Sequence, residues 1–423
     1  MKTRQVSEFK ETEIGKIPSD WDLKELKQIA DVIDPHPSHR APKEVSIGFP
    51  FAGIGDIDED GTINVDKARK INEEYVKQQE ESYEINDYSI GYGRVGTVGK
   101  IVKLKKKEFR YALSPTLAVI NPNNQIDKIF LNFAIRTESF ANQVYSRMTG
   151  TTRPALGIQE LRKILVIYPP IKEQRSIGKI LDDLTNKIQN LQNQNKIIEQ
   201  IAQAIFKSWF IDFDGQMEFV ESELGKIPKG WMIKKMSEIS EVKIGRTPPR
   251  KEAEWFTKNI GMKWVSIRDM GLSNTFLHYT LENLTDDAIK NFKIPVIEKG
   301  MVLLSFKLTV GRVAIASEKM VSNEAIAHFK ISEPSLNNYY LYEVLKNFNY
   351  DSLGSTSSIA TAINSTNIKD MKIIVPTIEI LNQFKETVES LFSQINVEQK
   401  KIQILSNTRD LLLIKSVSGE IRV

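Results

Sequence analysis

Apolar residues recur in steps of four and three along one stretch: Ile177, Leu181, Leu184, Ile188, Leu191, Asn195, Ile198, Ala202, Ile205 and Trp209. That spacing predicts a long amphipathic helix with a heptad seam. The same rhythm returns 207 residues later through Phe384, Val388, Leu391, Ile395, Glu398, Ile402, Leu405, Arg409 and Leu412. Pro169, Pro170 and Pro376 precede the two segments, and Gly215 and Gly419 follow them. Helices tolerate proline at the start and close on glycine. About 40 residues at 1.5 Å each give a helix of roughly 60 Å. A narrow apolar stripe needs one partner, and the nearest partner for each helix is the other. The pair is expected to pack as an antiparallel coiled coil through Ile177, Leu181, Leu184, Ile188, Leu191 and Ile198 on one side and Phe384, Val388, Leu391, Ile395, Ile402 and Leu405 on the other. Asn195, Glu398 and Arg409 interrupt the seam. They either fix its register or mark a stretch that splays toward another protein.

Outside these helices the pattern changes. Residues 20–165 and 230–370 hold short apolar runs (GKIVKL, TLAVI, MVLLSF) between Gly, Asn and Pro, which read as strands and turns. A few helices are expected there, at 128–145 and 338–349. The fold class is α+β: two globular domains and a pair of long helices. The segments are 1–170 (globular), 171–213 (helix), 214–375 (globular) and 376–423 (helix).

The two halves are copies. EIGKIPSDWDLKELKQIADV at 13–32 matches ELGKIPKGWMIKKMSEISEV at 223–242, an offset of 210 residues. RVGTVGKIV at 94–102 pairs with KLTVGRVA at 307–314, and ILVIYPPI at 164–171 with MKIIVPTI at 371–378, in the same order. This is one unit duplicated, not a solenoid of short repeats.

Composition narrows the function classes. The chain has 423 residues, 41% hydrophobic and 26% charged, with 58 Lys and Arg against 54 Asp and Glu. That is a folded composition, and the near-balanced charge alone does not announce a nucleic acid. There is no cysteine, which removes disulfides, thiolate catalysis and Cys-ligated metals. There are four His, of which His36 and His39 lie close but lack a third ligand, so no metal site is expected. The opening residues lack a signal-peptide core, and no apolar run reaches bilayer length. A cytoplasmic protein without membrane attachment is expected.

Catalytic motifs fail in context. Gly91, Gly93 and Gly96 form G-x-G-x-x-G, but the following GKIVKLKKK alternates like a strand instead of opening a helix, and the second copy has Leu303, Ser305 and Leu308. A nucleotide site needs strand, turn and helix in that order. No P-loop, H-E-x-x-H, G-x-S-x-G or N-P-P-aromatic turn occurs. The triplets Glu8–Lys10 and Asp22–Lys24 resemble nuclease motifs, but the second copy has Met232 in place of Asp22. What remains is a binding signal. KIVKLKKKEFRY (100–111), TGTTRPALG (149–157), GRTPPRK (245–251) and GSTSSIATAIN (354–364) mix cations with hydroxyls on loops. Arg and Lys neutralise phosphates or fork onto guanine, while hydroxyls and amides hold phosphate register. Each cluster alone suits a solvated surface, but their repetition on two domains favours nucleic acid.

Taken together, GKIPSDW (15–21), GKIPKGW (225–231), PPIKEQRSI (169–177), AIFKSWFIDFD (204–214), WVSIRDM (264–270) and LLLIKSVSGEIRV (411–423) resemble the specificity subunit of type I DNA restriction-modification systems. The resemblance spans nearly the whole chain. It departs at one helix start, where Gln174 of the first copy corresponds to Leu381 and Gln383 lies two residues later. It implies two target recognition domains, each reading half of a split, asymmetric sequence in double-stranded DNA, with the paired helices as spacer. It also implies a non-catalytic chain with no cofactor of its own. Two methyltransferase subunits carrying S-adenosylmethionine would dock on the helices, with endonuclease subunits joining for ATP- and Mg-dependent restriction. The expected DNA contacts are Arg94, Thr97, Lys100, Thr149, Thr151, Thr152 and Arg153 in the first domain. In the second they are Arg246, Arg268, Lys307, Thr309, Arg312, Ser355, Thr356, Ser357 and Ser358. Two other readings stay open: a coiled-coil scaffold that binds only protein, and a self-sufficient methyltransferase using the GYGRVG loop.

Overall fold

The duplication seen in the sequence reappears as one strand arrangement built twice. The computed structural model describes residues 8–36, 42–150, 152, 154–353 and 363–423. The chain divides into one unit drawn from residues 1–187 and 405–423, and a second from 188–404. In the first unit, β1 (Ala30–Ile33), β2 (Ile90–Gly93), β3 (Ile101–Lys103) and β4 (Leu117–Pro122) form an antiparallel sheet in the order β1-β4-β2-β3. In the second, β5 (Ser240–Ile244), β6 (Val302–Ser305), β7 (Val313–Ala316) and β8 (Ile326–Ile331) repeat it as β5-β8-β6-β7. The short strand Phe276–Leu277 extends that sheet in parallel with β7. The run VLLS of β6 is buried at all four positions, as expected for a strand covered on both faces.

Each repeated GKIP motif is the second strand of a hairpin, Phe9–Thr12 with Gly15–Pro18 and Phe219–Ser222 with Gly225–Pro228. Gly15 and Gly225 turn the chain at φ +109° and +93°, a conformation open to glycine at no steric cost. Trp21 and Trp231, just beyond, are buried.

The two predicted helices are α1 (Ile171–Phe210) and α2 (Ile378–Val417), 40 residues each. In the first unit, Ile177 and Leu181 of α1 and Val417 of α2 share a core with Trp21 and Phe130. In the second, Ile198, Ala202, Phe206 and Phe210 share a core with Leu381, Phe384, Val388, Phe392 and Ile395. The start of each helix lies in the same unit as the end of the other, so the pair runs antiparallel. Ile188 and Leu191 are also buried, whereas Leu184, Leu391, Ile402 and Leu405 are half-buried. Near the end of α1, burial passes from the expected Ile205 and Trp209 to Phe206 and Phe210. A straight α-helix drifts by about 20° per heptad against a strict seven-residue repeat, so the apolar face moves by one position over this length.

Two local expectations change. The segment 128–145 is two helices, Lys128–Ala134 and Glu138–Arg147. Asp127 caps the first, and Thr137 restarts the chain by accepting from the Phe140 amide. At the start of α1, the wholly buried Gln174 donates to the Pro169 carbonyl at 2.7 Å and accepts from the Asp127 amide at 2.8 Å. Leu381 in the second unit is equally buried but packs in an apolar core beside Phe384. A polar tie in one copy is thus a hydrophobic contact in the other.

Candidate nucleic-acid interface

In each unit two neighbouring sheet strands, β2 and β3 in the first and β6 and β7 in the second, are joined by a hairpin that carries a predicted contact segment at its tip. In the first unit the tip spans residues 94–100. Gly93 and Lys100 close it, with the Gly93 amide donating to the Lys100 carbonyl at 2.7 Å. Gly96 and Gly99 make its turns at φ +76° and +88°. The tip is tied to the Thr- and Arg-bearing loop. The Gly96 amide donates to the Pro154 carbonyl at 3.0 Å, and the Leu156 amide to the Arg94 carbonyl at 2.8 Å. Thr149 and Ala155 exchange backbone bonds of 2.9 Å in both directions, which pinches the loop shut. Two segments more than fifty residues apart in sequence therefore form one surface. Thr97, Thr149 and Thr152 are exposed on it. Thr151 and Arg153 lie outside the described residues.

The second unit repeats the hairpin over residues 306–312. The Ser305 amide donates to the Arg312 carbonyl at 2.9 Å and the Gly311 amide to the Ser305 carbonyl at 3.0 Å. The Ser305 hydroxyl reaches across the turn to the Thr309 carbonyl at 2.6 Å. Lys307 and Thr309 are exposed. Gly311 lies against the Tyr350 ring, where an added Cβ would come within 3.2 Å. The turn Tyr350–Leu353 leads directly into Ser355, Thr356, Ser357 and Ser358, which lie outside the described residues.

Some predicted contacts have another role. Arg94 is buried and paired with Asp34 at 2.7 Å. Its guanidinium anchors the hairpin base to the strand that follows the first repeat motif and does not reach the surface. The Lys100 ammonium donates to the Ile54 and Ile57 carbonyls at 3.0 and 2.8 Å. Arg312 donates to the Ile267 carbonyl at 2.6 Å beneath the short helix Ile267–Leu272. In all three the cation is engaged within the protein at the base of the hairpin. Arg246 is exposed and donates to the Phe292 carbonyl at 3.0 Å. Arg268 is exposed on the first turn of the helix that Arg312 supports. Of the other cations singled out, Arg110 pairs with Glu73 and Glu80 and holds both carboxyls below the usual range. Arg250 pairs with Glu282 and lies over the Phe256 and Trp264 rings at 4.3 and 4.5 Å.

The GYGRVG segment is strand and hairpin turn, and β3 follows it where a nucleotide fold would place a helix. Among the described residues no group of three or more His, Asp or Glu is placed to hold a metal. His36 packs edge-on to Phe51 at 6.0 Å, and His39 lies outside the described residues. No helix among the described residues is long and apolar enough to cross a membrane.

Sequence reasoning missed Asp34 as the partner of Arg94 and Leu308 at the second hairpin tip. The signal for Leu308 was present, as a leucine where the first copy has Gly96.

A sequence model of the type I restriction modification DNA specificity domain matches residues 18–200 and again 228–407. The type I restriction enzyme MjaIX specificity subunit of Methanocaldococcus jannaschii is 29% identical over an alignment covering 100% of this chain and 98% of that protein. The HindI specificity subunit of Haemophilus influenzae is 24% identical over 74% of this chain and 81% of its own. The crystal structure of the type I restriction-modification S subunit from M. genitalium shares the fold, with a TM-score of 0.59 at 14% identity, over 94% of this chain and 96% of that one. With both repeats matched, the chain belongs to the family of type I restriction-modification specificity subunits.

Proposed function

We propose that this chain is the DNA sequence-recognition subunit of a type I restriction-modification complex and that it performs no chemistry itself. The observation that carries this reading is the doubled hairpin-and-loop surface. One architecture is built twice, but the tips differ: Gly96 and Thr97 with the 149–157 loop in one copy, Lys307, Leu308 and Thr309 in the other. Matching scaffolds with unlike tips suit two unlike half-sites in one duplex. Thr97, Thr149, Thr152, Arg246, Arg268, Lys307 and Thr309 would meet phosphates and base edges, together with Thr151, Arg153 and Ser355–Ser358. Arg94, Lys100 and Arg312 would act as positioning residues. Adenine methyltransferase subunits, two per chain, would dock on α1 and α2 and supply S-adenosylmethionine and base flipping. Endonuclease subunits would add ATP- and Mg-dependent cleavage. The setting is cytoplasmic.

The test is selection from random duplex DNA with the native complex captured through this chain, at two salt concentrations. A split motif of two unlike halves with a fixed gap, weakened at higher salt, is the expected result. Salt-sensitive binding without a motif would place specificity elsewhere. An intact complex that recovers no DNA would favour the protein-only scaffold.

A further inference from the structure

Three non-glycine residues among those described hold a left-handed backbone: Phe213 at φ +57°, Lys293 at +48° and Leu308 at +61°. That conformation is costly for any residue with a Cβ, and two of the three have a local reason for it. Phe213 lies just beyond α1 and packs edge-on to Trp231 at 5.5 Å. Lys293 follows Phe292, the cap of the short helix Asp286–Asn291, where a left-handed residue commonly ends a helix. Leu308 gains neither. It is 96% exposed at the tip of the β6–β7 hairpin. The first copy builds the same turn with Gly96, so the turn itself does not require a leucine.

A strained backbone and a bare apolar side chain, with no packing in return among the described residues, point to a contact made outside the chain. The flanking residues indicate its chemistry. Lys307 and Thr309 are both exposed on either side of Leu308. A cation and a hydroxyl suit phosphate oxygens. An apolar tip between them suits apolar surfaces that a duplex offers at its bases, thymine methyls and the faces of unstacked bases. We infer that Leu308 is a specificity-determining residue that makes an apolar contact with the bases of the second half-site. The glycine at position 96 leaves the first half-site without an equivalent contact. This rests on the DNA-recognition reading above.

The test uses the full chain in complex with its partner subunits, a duplex obtained by the selection, and a second duplex in which only the second half-site is scrambled. Leu308→Gly removes the side chain and relieves the backbone, so thermal unfolding should be unchanged or higher. Its affinity for the selected duplex should fall about tenfold, with no change on the scrambled duplex. Leu308→Met should stay within about threefold of the wild type on the selected duplex. Unchanged affinity of Leu308→Gly overturns the inference, as does an equal loss on both duplexes. Poorer recovery of the assembled complex before DNA is added also overturns it, because Leu308 would then face a protein partner. A wild-type complex that fails to prefer the selected duplex over the scrambled one refutes the DNA reading itself, a separate outcome from any behaviour of the variants.

Discussion

Replacing Glu343 by Gln should stabilise the second unit, and by an amount that grows with pH. Glu343 lies on the helix Asn338–Asn347 and is 2% exposed. Burial pushes its carboxyl from 4.5 up to about 7; Lys346 opposes the shift, while Glu199 adds to it. An acid whose folded pKa is raised holds its proton in the native state after the unfolded chain has released it. Its contribution is therefore fully present below pH 4.5 and is lost as pH rises through 7. At ~1.4 kcal/mol per unit, the wild type should forfeit ~3 kcal/mol by pH 8 and under ~1 kcal/mol at pH 5 relative to a neutral side chain. Gln keeps the shape and does not titrate. Urea unfolding at pH 5, 6, 7 and 8, followed by tryptophan fluorescence, would read this out, since Trp209, Trp231, Trp255 and Trp264 belong to the second unit and only Trp21 to the first. The expected result is a gap between variant and wild type that opens with pH. A pH-independent gap, or a wild type that gains on the variant toward pH 8, would mean that the carboxylate is ionised and usefully held by Lys346.

Arg422→Ala should destabilise the first unit by about 3 kcal/mol, measured by chemical denaturation. Arg422 forks onto Glu173 at 2.6 and 2.8 Å and onto Asp20 at 3.0 and 2.8 Å, and its loss leaves a buried carboxylate; Arg422→Lys should not restore the fork. Asn195→Leu should raise the unfolding free energy by ~1–2 kcal/mol, because its buried amide has no hydrogen-bond partner among the described residues; a loss of stability would mean that the amide fixes the seam's register. Arg153→Ala should weaken binding, in a mobility-shift assay, only for duplexes carrying the first half-site, and an equal loss on every sequence would make it a phosphate contact or a structural residue. Adding a heptad to both α1 and α2 should lengthen the gap in the selected motif and leave both halves intact, and an unchanged gap would refute the spacer role.

The parts legible from sequence were those governed by period and repetition. A seam of ten positions in α1 leaves little room for another element, and the doubled GKIP…W motif marks the start of each copy. Residue-level roles were less legible for a definite reason. Arg94 and Lys100 look like surface cations in a Gly-rich loop, and nothing in the string says that Asp34 or the carbonyls of Ile54 and Ile57 fold against them. Long-range pairing decides whether a charge is spent inside the protein. Local chemistry was readable where it was overlooked: Thr137–Glu138 is a helix-start signal inside the segment read as one helix. The shift of burial from Trp209 to Phe210 reflects helical drift that a strict heptad reading does not carry.

The first unit is discontinuous in sequence, and the Arg422 fork is part of what closes it. Residues 188–404 form the second unit from one uninterrupted stretch, whereas the first needs residues 405–423 to complete the core around Trp21 and Val417. During synthesis the usual order is therefore inverted. The unit that begins the chain is the last to be finished, and it waits through some two hundred residues of translation with its Trp21 side uncovered. A nascent chain stalled before residue 405 would hold every residue of the second unit and an incomplete first one. On the DNA-recognition reading proposed above, errors of synthesis within residues 405–423 should thus appear as defects in reading the first half-site.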